Sequence, residues 1–412
     1  MAIVIADQSS TLDHYGVKGQ SYVADRYAYA ADSTQDYHSK FNKDCSRLID
    51  NYDAAGNKVL ETVTAANGSS TMISYDSEGR VTQKQSLDAK GGLTTWLHDA
   101  ISGAVTTATV VNADKTKTIE HSGIVGETYV SDRIVYAASG AVQSITRYHA
   151  DGTLDYYTKY NADGSRLIDN FNAAGKKTLE TVIAADGGRT TVTYDGAGHA
   201  TQKQSIVAGT TSTWTYDVAS GAVKTMTVVH PDKTSSYDHY GIVGPSYTSD
   251  HDEYRADGAV DSVTRYHADG TLDYYSQYKV DGGRITANYD AGGNKMLETL
   301  SGSMGADKFV IDAGNSKNTD FKATEGDKID FSKVDAVANK AGGTLDHFVF
   351  AGDRFTGEAG QIIAAKDPTN MDGKHWLVQW DTNGDGQADL VLHVTSPDMH
   401  ILGSSDFLFG WS

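Results

Sequence analysis

The sequence predicts an all-β protein whose larger part is a repetitive antiparallel β-meander of short strand-turn units, and three observations carry that reading. The composition is β-like: 42 Gly, 24 Tyr and only 4 Pro in 412 residues, with abundant Thr and Val and few long stretches of the Ala, Glu and Leu that helices favour. Glycines recur at Gly152, Gly164, Gly175, Gly187, Gly198, Gly209 and Gly221, a spacing of 11 or 12 residues throughout. Between them the side chains alternate. In "TLDYYTKY" one face carries Leu154, Tyr156, Thr158 and Tyr160 and the other Thr153, Asp155, Tyr157 and Lys159, the period of a half-buried strand. Asp-Gly and Ala-Gly pairs supply the positive φ of tight hairpin turns.

Longer repeats are superimposed on the short ones. "DHYGVKGQSY" from Asp13, "EHSGIVGETY" from Glu120 and "DHYGIVGPSY" from Asp238 mark three blocks, about 13–119, 120–237 and 238–299. The second and third markers lie 238 − 120 = 118 residues apart, and "RYHADGTLDYY" recurs letter for letter at 147–157 and 265–275. Block one lacks the unit containing "RYHADG", and block three stops after "LET". About two dozen units in series predict an array over 1–299, an up-and-down sheet rolled or coiled on itself.

Lys and Arg total 35 against 54 Asp and Glu, a net charge of −19, which argues against unspecific attraction to nucleic acid or to anionic membranes. No window approaches the apolar length of a membrane span, and "MAIVIADQSSTLDHYG" lacks the basic n-region of a signal peptide. A soluble chain with no membrane insertion is expected. Cys45, the single cysteine, reads as a half-buried small hydrophobe in a strand.

Two parts of the chain resemble known families. "YDAAGNKVLET" and "YDSEGRVTQKQS", with Tyr-Asp strings at Tyr52, Tyr75, Tyr194 and Tyr289, resemble the tyrosine-aspartate (YD) repeats of bacterial shell and toxin-delivery proteins, whose hairpins spiral into a β-sheet wall. From 300 to 412 the character changes. "LSGSMGADKFVIDAGNSKNTDFKATEGDKIDFSKVDA", "FTGEAGQIIAA", "WDTNGDGQADLVLHV" and the closing "SDFLFGWS" resemble the C-terminal domain of serralysin-type metallopeptidases and related RTX proteins. That resemblance implies a β-roll remnant packed on a β-sandwich and an uncleaved secretion signal. It further implies passage through a type I secretion exporter, and hence a secreted protein, extracellular or on the cell surface of a Gram-negative bacterium.

The peptidase chemistry does not carry over, because the chain has no HExxH with which to hold zinc and activate water. Nor does it contain G-x-S-x-G, a Walker A loop or a dinucleotide fingerprint. Calcium is the expected cofactor. "DTNGDGQAD" spaces Asp381, Asn383, Asp385, Gln387 through its carbonyl, and Asp389 as alternate oxygen ligands around two glycines, and Asp307 in "GSMGADKF" matches one degenerate RTX repeat. No organic cofactor is indicated.

The duplicated stretch has two readings. In one it is the plain residue of a duplication, its tyrosines covering a sheet. In the other, Arg, His, Tyr and Asp line a groove for an extracellular, acidic polysaccharide, with aromatic faces for sugar rings and Arg for carboxylates. Copies at fixed spacing would raise avidity. A lyase would need a charge neutraliser and an acid-base pair, for which Arg147, His149 and Tyr157 are the candidates. Tyr148, Tyr156, Trp214, His239, Tyr240, Arg265, His267 and Tyr275 are the expected substrate-binding residues. The alternative is a non-catalytic structural or adhesive protein of a surface or biofilm matrix, self-associating through strand edges.

Overall fold

The computed structural model describes residues 2–4, 9–311, 316–318, 320–337 and 346–409. Among them twenty-five strands of six to eight residues run from Ser10–Tyr15 to Lys295–Ser301. Among the described residues helix is confined to two single turns, Ala323–Glu325 and Ser404–Asp406, and none is long and apolar enough to cross a membrane. The chain divides into two compact units, 1–203 and 204–412.

In the first unit each described pairing from Ser10–Tyr15 to Arg189–Tyr194 joins strands consecutive in sequence, and every one is antiparallel. The turns explain why. At residues 149–153 the His149 N–H donates to the Thr153 carbonyl at 2.8 Å and the Gly152 N–H to the His149 carbonyl at 3.0 Å. Asp151 accepts from the Thr153 N–H at 2.9 Å and its hydroxyl at 2.6 Å. Gly152 sits at φ +84°, where a side chain would be strained. This three-residue hairpin with a left-handed third position brings a bulge beside it, between Arg147 and Tyr148.

A few turns place a non-glycine residue in the left-handed position, among them Cys45 at φ +70°. Cys45 is therefore exposed at a turn rather than half-buried in a strand, because the strand ends at Phe41 and the next begins at Arg47.

The array has almost no dry core. Between residues 9 and 299 the buried apolar side chains are Ala28 and Ala287, while Ser39, Thr158, Thr181 and Ser276 are buried alongside carboxylates such as Asp50 and Asp169. Thr158 is fully buried and its hydroxyl donates to the Leu167 carbonyl at 2.9 Å. Thr181 meets the Thr191 hydroxyl at 3.5 Å, and Ser276 meets that of Thr286 at 3.4 Å and accepts from Arg284 Nε at 2.9 Å, so the interior of the array is held by hydrogen bonds more than by apolar burial.

The second unit continues the antiparallel meander from Thr210–Tyr216 to Lys295–Ser301 and then changes character. Lys308–Val310, Lys328–Asp330 and Phe407–Leu408 form a small parallel sheet. Gln361–Lys366, His375–Asp381 and Leu390–Thr395 form an antiparallel one. An apolar core begins at Leu300 and gathers Phe321, Phe331, Ile362, Trp380 and Leu392. The all-β fold class predicted from composition and periodicity is the one observed.

Candidate functional site

One row of side chains crosses five neighbouring strands in the first unit. The register places His121 opposite Asp132, Asp132 opposite Arg147, Arg147 opposite Tyr156 and Tyr156 opposite Asn170. Directly opposed residues share a face, so the five form a line across the strands about 19 Å long at ~4.8 Å per strand. The second unit repeats it with His239, Asp250, Arg265, Tyr274 and Asn288. In block one the row reads His14, Asp25, Lys40 and Leu48, so lysine stands where Arg147 does and leucine replaces the tyrosine of the next strand, while the Tyr22 ring centroid remains 5.6 Å from Lys40 Nζ.

The arginines are clamped between rings. The Arg147 guanidinium lies 4.5 Å from the ring centroid of Tyr129 and 5.1 Å from that of Tyr156; Arg265 lies 4.7 Å from Tyr247 and 4.8 Å from Tyr274. Each carboxylate that faces an arginine across the strands is held by a histidine instead. His121 Nδ1 is 2.7 Å from Asp132, and His239 Nδ1 is 2.9 Å from Asp250. Arg147 and Arg265 make no ion pair among the described residues, and the Nε of each is buried without a hydrogen-bond partner. The clamp orients a planar, permanently charged donor while leaving its terminal donor edge for an external acceptor.

The loop carrying Tyr129 is pinned by the repeated histidine. His149 Nδ1 bonds the Thr128 carbonyl at 3.1 Å and its Nε2 lies 3.7 Å from Asp155, whose other oxygen accepts from the Thr128 hydroxyl at 3.3 Å. His267, Ser246 and Asp273 repeat the arrangement, at 3.1, 3.7 and 3.2 Å. His149 and His267 are thus clips that hold the tyrosine loop against the arginine.

The proposed lyase set does not assemble. Tyr157 is opposite Thr146, one residue out of step with the Arg147–Tyr156 pair, and so points to the other face of the sheet; Tyr275, opposite Thr264, does the same. Tyr157 belongs instead to a line with Asp169 and Glu180, whose carboxylates Lys177 bridges at 3.0 and 2.6 Å. Tyr148 sits past the bulge, opposite Leu154. Trp214 lies opposite Met226, and these two share a shallow apolar depression with Tyr240.

The loops expected to hold calcium bind themselves. Asp381 is fully buried and its carboxylate accepts from the backbone N–H groups of Asn383, Gly384 and Gly386 at 3.1, 2.6 and 2.9 Å. Asp389 accepts from the Thr382 N–H and hydroxyl at 2.7 and 2.6 Å and from the Asn383 amide at 2.9 Å. Asp385 accepts from the Gln387 N–H, and Asp307 from the Ser303 N–H. The oxygens diverge into donors instead of converging on a point, and no group of three or more His, Cys, Asp or Glu among the described residues is placed to hold a metal ion. As arranged, these residues do not fit calcium.

Sequence reasoning missed Tyr129 and Tyr247, the carboxylates Asp132 and Asp250, and His121, Asn170, Tyr274 and Asn288 of the rows. The signal was present. The block markers end in Tyr129 and Tyr247 and run on as "GETYVSD" and "GPSYTSD", and hairpin register sets those tyrosines beside Arg147 and Arg265.

No protein-family model matches the chain, and no curated protein matches it. Among solved structures the chain is similar to part of a chain in the crystal structure of TcdB2-TccC3-Cdc42, with 13% identity over 71% of this chain and 22% of that one, at a TM-score of 0.12. It is similar to part of a Photorhabdus luminescens Tc holotoxin pore, with 14% identity over 71% and 19% at a TM-score of 0.13. A porin-like protein from Bacteroides uniformis ATCC 8492 matches with 12% identity over 58% and 87%, at a TM-score of 0.12. This chain spans 22% and 19% of the two Tc chains' lengths. At these scores the likeness carries no argument, and the repetitive β-fold rests on the strand register itself.

Proposed function

We propose that the array is a non-catalytic binding surface for an extracellular acidic polysaccharide, which lies along the His, Asp, Arg, Tyr and Asn rows of blocks two and three. The observation that supports this most directly is the repeated, ring-clamped arginine whose cross-strand carboxylate is already taken by a histidine. Such a guanidinium is complemented by an anion from outside, and a uronate carboxylate accepts two parallel N–H bonds from it. The asparagine at the end of each row and the histidine at its start serve hydroxyl groups.

Binding is favoured over β-elimination because Arg147 and Tyr157 point to opposite faces, so the Arg147, His149 and Tyr157 set does not surround one carbon. Secretion through a type I exporter is part of the same proposal and rests on the C-terminal resemblance. The test is gel retardation of the full chain by acidic and neutral polysaccharides, with ultraviolet absorbance of the same mixtures recorded for unsaturated uronate. Retardation by the acidic polymers without new absorbance is the expected result. Equal retardation by neutral polymers, or none, overturns the reading, and a growing absorbance restores the lyase.

A further inference from the structure

The 118-residue repeat gives the molecule an internal control, since a position that departs from its copy needs its own reason. Four departures fall together in block three. His251, Glu253, Arg255 and Asp261 stand where block two has Arg133, Val135, Ala137 and Gln143. All four line one cleft of about 390 Å³ in the second unit, together with His230 and Ser236, and that volume is within the ~300–1,000 Å³ usual for small-molecule sites.

The exchange of Arg for His changes the pairing at this position. In the first unit Arg26 holds Asp13 at 2.5 Å and Arg133 lies 3.6 Å from Glu120. In block three the shorter His251 takes the same role, its Nδ1 2.7 Å from Asp238. Its Nε2 then lies 3.5 Å from Glu253, whose other oxygen accepts from the Ser262 hydroxyl at 3.1 Å. Arg255 and Asp261 arrived as a pair, Nε to carboxylate at 2.9 Å, with a further Arg255 bond to the Tyr278 carbonyl. Asp238 and Asp261 are therefore occupied. Glu253 is not fully so, and its side chain is 53% exposed.

The register puts Ser236, Glu253 and Ser262 in one line and Asp238, His251 and Thr264 in the next. That is the face opposite to the Arg265 row. Glu253 and Asp261 line the cleft beside Arg255, His230 and His251; Asp261 is paired with Arg255 and Asp238 with His251, so Glu253 is the carboxylate left open, and hydroxyls flank it.

We infer that this cleft is a second, block-three-specific binding site for a small polyhydroxylated amine of the amino-sugar class, its ammonium held by Glu253 and its hydroxyls by Ser236 and His251. It is separate from the polysaccharide rows in position, in the charge of the group it offers to the ligand and in number, with one copy per chain.

The experiment is calorimetric titration of the full chain with a glucosamine disaccharide and, in parallel, its N-acetylated form. One site per chain is expected for the amine, with binding by the acetylated sugar weaker by about tenfold or more, since a charge-assisted hydrogen bond is lost. Glu253→Val installs the residue that block two already carries in this position, and Glu253→Gln preserves the shape; each is expected to weaken the amine by about tenfold or more. Arg147→Ala and Arg265→Ala should leave it unchanged, which separates this site from the polysaccharide rows. Absence of saturable binding, equal binding of the acetylated sugar, or unchanged affinity in both Glu253 variants overturns the inference.

Discussion

Lys177 offers a quantitative test of how an array without an apolar core holds together. Its ammonium is 3.0 Å from Asp169 and 2.6 Å from Glu180, with the three side chains 30%, 9% and 29% exposed. The two carboxylates are directly opposed across strands Arg166–Phe171 and Lys177–Ile183. Lys177→Met leaves them facing each other with no shared cation. Exposed pairs are worth ~0.2–1 kcal/mol and removal of one partner from a buried pair costs ~3–5 kcal/mol, so a partly covered triad should cost about 2 kcal/mol by interpolation. That is roughly a 30-fold rise in local opening, read as faster amide hydrogen exchange in those two strands.

Block three supplies the control, because Ala287 replaces the aspartate there while Lys295 still holds Glu298 at 2.5 Å. Asp169→Ala should therefore cost no more than about 1 kcal/mol. Burial works to lower the Lys177 pKa and the two carboxylates outweigh it, so the net shift is upward. The triad's contribution is fully present below the ~10.4 of an unfolded lysine and is lost as pH rises through the higher folded value. Unchanged exchange in Lys177→Met, or an equal effect of Asp169→Ala, would refute the idea that the bridge organises these strands.

Further outcomes follow from the same geometry. In an NMR titration His38, whose pKa burial and then Lys40 push down, should titrate below the ~6.5 of a free imidazole, so its contribution to stability is present above the unfolded value and lost as pH falls through the lower folded value. His251 should titrate above it, because Asp238 and Glu253 outweigh the lowering effect of burial, and its contribution is lost as pH rises through the folded value; reversed positions would contradict both assignments. Asp252 replaces the Ile134 of block two and has an oxygen buried without a partner. Asp252→Ile should stabilise the second unit by about 1 kcal/mol or more, seen as a thermal shift of ~2–4 °C per kcal/mol; destabilisation would show a partner that the geometry omits. Trp380 is fully buried and packs edge-on to Phe331 at 5.1 Å, so Trp380→Ala should cost ~3–5 kcal/mol, whereas an unchanged melt would refute the core assignment.

Much of the fold was legible because turn chemistry is local. The glycines at 152, 164, 175, 187, 198, 209 and 221 all adopt positive φ, and their spacing gave strand number and length. Face pairing was less accessible. Alternation correctly set Tyr156 against Tyr157, but which of them meets Arg147 depends on the bulge beside the 149–153 turn, a one-residue effect that moves a side chain to the other face. The hairpin type, readable in "HADGT", could have fixed it. The acidic string at 381–389 has two readings for a related reason: carboxylates at alternate positions serve equally well as acceptors for their own loop's N–H groups, and sequence spacing does not separate the two uses. The block-three cleft was visible as well, by subtracting one repeat from the next, although its four residues come together only through the hairpin they share.

The central claim is that two equivalent ring-clamped arginines bind an acidic polymer. The most direct test is calorimetric titration of a uronic-acid oligosaccharide into the full chain and into Arg147→Ala, Arg265→Ala and the double variant. The account predicts two sites for the unaltered chain, one for each single variant, and an affinity in the double variant reduced by about tenfold or more, as expected for loss of a charge-assisted pair. Undiminished stoichiometry and affinity in the double variant would contradict it.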